Sequence, residues 1–231
     1  MAVTVKSERE IALMRESCRL LEIVHEEMGK IIKPGITTWE IDEFGEKLIR
    51  ELGGIPNFKN YNGFPASICV SVNDEVVHGI PSREKVLMDG DIVSLDAGLI
   101  YQGYHSDAAR THAVGSVTAE AQKLIDVTKQ SFFEGIKMAR AGNHLHDISN
   151  AIDDYVSQFG YGIVRDLVVP RRRCGSCARS PIFLFPLSKI GMTGILFTVR
   201  DPSVKSTVRF FPRGRLQSST TSMLRCPLST P

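Results

Sequence analysis

Residues 93–111 read VSLDAGLIYQGYHSDAART, two runs of β-branched and small residues that meet at YQGY. With Gln102 and Gly103 as the central pair this is a two-residue β-hairpin, which sets Gly98 opposite Asp107 and Asp96 opposite Ala109. Side chains alternate along a strand, so positions 96, 98, 107 and 109 share one face. The two aspartates are then diagonal neighbours, roughly 7–8 Å apart at the backbone and within reach of a common ion. Alone, each reads as an ordinary turn or edge-strand residue. As a pair on one face they repel and resist burial unless a positive group compensates, and Arg110 falls on the opposite face. A divalent cation is the economical compensator. An oxygen-rich site suits Mg, Mn, Co or Fe, with Zn added if a histidine joins.

Helices flank the hairpin on both sides. Ser7 with Glu10 and Thr37 with Glu40 are capping boxes. The first opens an amphipathic helix carrying Met14, Cys18, Leu21 and Met28 to a stop at KPG, and the second opens TTWEIDEFGEKLIREL, closed by Gly53 and Gly54. Downstream, helical spacing predicts one helix from Thr118 to Ala141 and another from Leu145 to Phe159. SICVSVN, EVVHGI, DIVSLDAGLI and HSDAARTHAV read as strands between the helix pairs. Helices segregated around such a block predict an α+β fold with an antiparallel sheet.

Length and composition, 231 residues and 42% hydrophobic, allow one large domain or two small ones. The N-terminus has no apolar leader and no stretch approaches a membrane span, which places the chain in the cytoplasm. Five cysteines without a secretion signal read as free thiols. Charge divides the chain: residues 1–168 hold 17 basic and 25 acidic side chains, residues 169–231 hold 11 and one. That second segment also carries seven of the eleven prolines, so the domain ends at 168 and a basic Pro/Ser/Arg-rich, poorly ordered tail follows. Its RRR run lacks the aromatic interleaving of a nucleic-acid site, and Cys174-x-x-Cys177 lacks the second ligand pair of a zinc knuckle.

Three histidines lie near the carboxylates. His78, in VVHGIP, sits where a strand runs into a turn and reads either as a substrate contact or as a surface histidine. His105 shares the parity of Asp107 but is close enough to the turn to be solvated, and His112 has the opposite parity.

NYNGFPASICVSVNDEVVHGIP, DGDIVSLDAG and GYHSDAART, in that order within residues 7–167, resemble the N-terminal half of type I methionine aminopeptidases. The resemblance implies the pita-bread fold, two pseudo-symmetric halves clasping a dinuclear metal centre, with the first half complete here. It also implies a cytoplasmic, monomeric metallo-aminopeptidase that removes the initiator methionine from nascent polypeptides at the ribosome, with no specific nucleic-acid or membrane partner. Two divalent ions (Co, Mn, Fe, Zn or Ni) would activate a shared water whose hydroxide attacks the peptide carbonyl. On the same basis Asp96 is the bidentate ligand of one metal and Asp107 the carboxylate bridging both. His78 binds near the scissile amide, and Tyr61, Phe64 and Cys69 line an apolar methionine pocket, positions that core packing would also explain. A small second residue is required, a condition this chain's own Met1 and Ala2 satisfy.

The pattern fails after residue 168. The family's second half should supply a histidine in a Gly-His-Gly motif, glutamates next to prolines and a last bridging glutamate, yet residues 169–231 contain neither histidine nor glutamate. Three metal ligands and the acid/base glutamate have no counterpart, so weak metal binding and poor turnover are expected. Plausible codons for residues 170–174 read one base later spell His-Gly-Val-Gly, and those for residues 177–181 read two bases later spell Arg-Glu-Glu-Pro. The second half is thus expected to be truncated or frameshifted, which sequencing the gene around codon 169 decides. Two other functions fit the same front half: a proline-directed aminopeptidase of this fold, and a non-catalytic pita-bread binding module.

Overall fold

In the computed structural model, which describes residues 5–163, both capping boxes form. Ser7 and Thr37 each accept from the backbone N–H three residues on and have their own N–H bound by Glu10 and Glu40. They start α1 (Glu8–Ile31) and α2 (Thr38–Glu51), and Gly53 ends the second by taking a left-handed φ of 77°. The buried stripe of α1 is Met14, Ser17, Leu20, Leu21, Val24, His25 and Met28. Cys18, expected on that stripe, is exposed. Ser17 takes the inward place because its hydroxyl is satisfied there, donating to Tyr104 O at 3.1 Å and meeting Ser106 Oγ at 2.9 Å.

Four antiparallel strands form the sheet: β1 (Ile55–Pro56), β2 (Ile68–Val72), β3 (Ile92–Tyr101) and β4 (Tyr104–Ala113). Strand β3 is the spine, with β2 and then β1 along one edge and β4 along the other. Tyr101 pairs with Tyr104 across Gln102 (φ 48°) and Gly103 (φ 83°), the two left-handed residues of a type I′ turn. The α+β expectation with an antiparallel sheet holds.

Three local expectations do not. EVVHGI forms no strand: His78 adopts φ 57°, and the segment touches β2 through Val70 N–H to Gly79 O (2.9 Å) and Gly79 N–H to Ser71 Oγ (3.1 Å). A left-handed residue breaks the extended run that a ladder needs. The third helix, α3 (Ala119–Ile136), stops five residues before Ala141, because Lys137 and Met138 N–H both turn back to Gly135 O and close the last turn tightly. Helix α4 (Leu145–Ser157) follows, ending two residues before the expected Phe159.

Helices α1 and α2 pack on one face of the sheet over a core in which Val24, Met28, Ile41, Ile49, Leu95 and Leu99 are fully buried. Each contributes about 1.5–3 kcal/mol by leaving water. Helices α3 and α4 build a second, smaller core from Leu124, Val127, Ile148, Ile152 and Val156. None of the described helices is long and apolar enough to cross a membrane. The predicted boundary at residue 168 and the whole 169–231 segment, with its cysteine pair and arginine run, lie outside the described residues.

Candidate metal centre

The alternation that buries Leu95, Ala97 and Leu99 against the helices turns Asp96 and Gly98 to the opposite face, and the hairpin register brings Asp107 opposite Gly98 and Ala109 opposite Asp96. The carboxylates are therefore diagonal neighbours, as the pairing read from YQGY requires. Asp96 is only 8% exposed, and its Oδ1 is buried without a hydrogen-bond partner among the described residues. Burial first, then the Asp107 charge and a hydrogen bond to Asp107, push the Asp96 carboxyl far above the usual carboxylate range. Burial also raises Asp107, against the opposing pull of its hydrogen bond with Asp96 and of His78. The two carboxyls are thus harder to ionise together than either would be alone.

An orphaned buried oxygen and two like charges in one apolar setting are the chemistry of a site that takes a divalent cation. The donors available are oxygen, and their charge matches such an ion. Among the described residues no third His, Cys, Asp or Glu joins them as a ligand group.

Other predicted site residues distribute unequally around the pair. Cys69, buried on β2, faces Asp96 across the ladder, and burial followed by the two aspartate charges pushes its thiol up to about 12. His78 reaches the pair electrostatically, through Asp107, from an exposed turn. Tyr61 and Phe64 lie on a separate loop: Tyr61 opens a 3-10 turn (Tyr61–Gly63) at 68% exposure, and Phe64 is half-buried just after it. His105 is exposed, as expected near the turn, but its Nδ1 lies 2.8 Å from Asn57 Oδ1. His112, on the helix side, packs its ring against Gly29.

The space over Gly98 is filled. A Cβ at this position would meet Asn57 Cβ and Phe58 Cε1 at 3.0 Å each, and Asn57 N–H donates to Gly98 O at 2.9 Å. The segment leading into Tyr61 thus covers Gly98, the residue opposite Asp107. Sequence reasoning did not find Asn57 and Phe58 as neighbours of the aspartates, although the only glycine on that face of the strand was a pointer to close backbone approach.

The family model of metallopeptidase family M24 matches residues 12–177. A methionine aminopeptidase of Clostridium acetobutylicum is 50% identical over 166 residues, which are 72% of this chain and 66% of that protein, so the chain spans just under two thirds of that relative's length. The crystal structure of methionine aminopeptidase from Thermotoga maritima superposes with a TM-score of 0.70 at 38% identity, covering 72% of this chain and 67% of that one. An Xaa-Pro dipeptidase from Bacillus anthracis shares the fold at a TM-score of 0.60 and 28% identity, over 68% of this chain and 43% of that one.

Proposed function

The chain belongs to metallopeptidase family M24, and on that premise we propose that it carries the metal-binding and methionine-recognising half of a methionine aminopeptidase site. The reaction is removal of an N-terminal methionine that precedes a small residue. The observation that carries this reading is the Asp96–Asp107 pair on one face of the hairpin, with Asp96 buried and its Oδ1 unpartnered among the described residues.

Asp96 and Asp107 would hold the divalent ions, Asp107 bridging them. Metal ions bound there supply Lewis-acid activation of water and of the scissile carbonyl. Ligating carboxylates must be ionised, and burial raises both of these, so binding is linked to proton release. His78 is the hydrogen-bonding group for the scissile amide, held at the rim by the contact of Gly79 with β2. Cys69, Phe64 and Tyr61 line the methionine pocket, where a polarisable thioether packs well on an aromatic ring. Asn57 and Phe58, seated over Gly98, keep bulk water off the carboxylates.

Nascent polypeptide N-termini at the ribosome, a cytoplasmic setting, a monomeric chain and a metal drawn from Co, Mn, Fe, Zn or Ni complete the proposal. The proline-directed alternative has weaker support, because similarity to the Xaa-Pro dipeptidase is lower than to the methionine aminopeptidases. The three ligands without counterpart leave the chain a weak metal binder with slow turnover.

Calorimetric titration of the purified chain with Mn²⁺, alongside Asp96→Asn and Asp107→Asn, tests the site. Weak binding with proton release, abolished by either substitution, is expected; binding indifferent to both would overturn it. Met-Ala and Xaa-Pro peptides compared as substrates test the specificity, and preference for the proline peptides would overturn the methionine assignment.

A further inference from the structure

Glu46, one turn beyond Asp42 on the sheet-facing side of α2, is tied to both ends of the loop that carries Tyr61 and Phe64. Its Oε2 accepts from Lys59 Nζ at 2.6 Å, just before the loop, and from Ser67 Oγ at 2.8 Å, just after it. Its Oε1 accepts from Arg50 Nε and Nη2, at 3.0 and 2.8 Å, within the same helix. Burial raises the Glu46 carboxyl, but the bonds from Lys59, Ser67 and Arg50 outweigh it and hold the group at about 2. Asp42, 4% exposed, adds a second fastening at the same end, accepting from Ser67 N–H at 2.8 Å and Ile68 N–H at 2.7 Å.

The loop between these fastenings needs holding. Asn60, Asn62 and Gly63 all have positive φ, of 66°, 49° and 81°. Asparagine tolerates that region better than most residues, yet it is not the conformation a free chain prefers. Within the loop Asn60 N–H donates to Phe64 O at 2.9 Å, and Phe64 N–H donates to Tyr61 O at 3.0 Å. Its entry, Asn57–Phe58, is seated on Gly98 beside the carboxylates. A shift at Lys59 or Ser67 would therefore move Tyr61 and Phe64 relative to Asp96 and Asp107.

We propose that Glu46 is a positioning residue for the methionine pocket, strapping Lys59 and Ser67 together across the base of the 60–66 loop so that Tyr61 and Phe64 are presented in one geometry. This rests on the reading above that those two side chains contact the methionine. Glu46 touches no substrate atom and acts through the loop.

Glu46→Gln tests the strap in the full chain, with Lys59→Met plus Ser67→Ala as a second route that leaves Glu46 in place. Arg50→Met is the control, because it cuts only the contact within the helix. Amide hydrogen exchange over residues 60–66 is expected to quicken at least about tenfold in Glu46→Gln and in the double variant, the size of one charge-assisted hydrogen bond. Exchange in β3 and β4 stays as it was. The dissociation constant for L-methioninamide, followed by nuclear magnetic resonance, rises by a similar factor, while Arg50→Met changes neither readout. Unchanged loop exchange in Glu46→Gln, quickened exchange without loss of L-methioninamide affinity, or an equal effect from Arg50→Met would each overturn the proposal. Tyr61→Ala separates the two layers: if it leaves L-methioninamide affinity intact, the pocket reading falls and the role of Glu46 in it falls too, whatever the loop exchange shows.

Discussion

Gly79→Ala should be among the most damaging single-methyl additions in this fold. A Cβ at residue 79 would lie 2.2 Å from Val70 O and 2.7 Å from Val70 C, backbone atoms of β2 held in the ladder with β3 that cannot rotate away. An unstrained carbon–oxygen contact needs about 3.3 Å, so the His78–Ile80 segment must lift off β2 by about 1 Å. That movement breaks the bond from Val70 N–H to Gly79 O and the bond from Gly79 N–H to Ser71 Oγ. Two hydrogen bonds lost at a buried place, each about 1–1.5 kcal/mol, give a cost of about 2–3 kcal/mol. At about 2–4 °C per kcal/mol for a folded region of this size, the melting temperature should drop by roughly 4–12 °C. The comparison is Gly53→Ala, where nothing lies within 4 Å and only the left-handed φ of 77° is penalised, at about 1 kcal/mol. Thermal and urea unfolding followed by circular dichroism measure both. A Gly79→Ala protein as stable as the parent, or no less stable than Gly53→Ala, would refute the packing argument. Asp96 and Asp107 lie on other strands, so Mn²⁺ binding should survive the change even as the His78 turn is displaced.

Other outcomes follow from the same contacts. Burial holds the His25 ring down to about 4, with Nε2–H donating to Ala108 O at 2.9 Å. A lowered folded pKa means the stability is complete above the unfolded value near 6.5 and is lost as pH falls from there towards 4, by about 3 kcal/mol; His25→Gln, which can keep the donor, should flatten the change in urea midpoint between pH 7 and pH 4.5. Asp107→Asn removes the half-buried carboxylate beside buried Asp96, so the ion-free protein should gain on the order of 1 kcal/mol while the upward shift of its melting point by Mn²⁺ disappears. Gly45→Ala improves the helix propensity of α2 by about 1 kcal/mol, but its Cβ would meet Ile68 Cγ1 at 2.8 Å and Met28 Sδ at 2.9 Å. Overpacking of about 1–3 kcal/mol should cancel or exceed the gain, and a clearly stabilised variant in urea unfolding would show that the core yields more than close packing allows.

The hairpin was legible because two local signals agree: a period-2 run on each side and a turn that only glycine and a few tolerant residues can make. Misreading EVVHGI as a strand has the opposite origin. Val76 and Val77 have strand character, but the left-handed turn at His78 and the seat of Gly79 on Val70 depend on a neighbour that periodicity cannot see. Ser17 rather than Cys18 faces the core for the same kind of reason, since a hydroxyl is acceptable in a core only where a partner such as Ser106 meets it. His105 and Asn57, 48 positions apart in the chain, could not have been paired from sequence.

Local chemistry in the sequence was enough to determine the four helices, the capping boxes that start α1 and α2, the β3–β4 register and the placing of Asp96 and Asp107 on one face, because each depends on residues a few positions apart or on a two-residue turn. Only the tertiary structure decided what surrounds that face. Whether Asp96 is buried with an unpartnered oxygen, whether the space over Gly98 is empty or filled by Asn57 and Phe58, and whether Glu46 is a lone surface charge or is bonded to Lys59 and Ser67 all depend on contacts between distant segments. Burial, charge repulsion and close packing act through space, and the chain order of the residues does not record them.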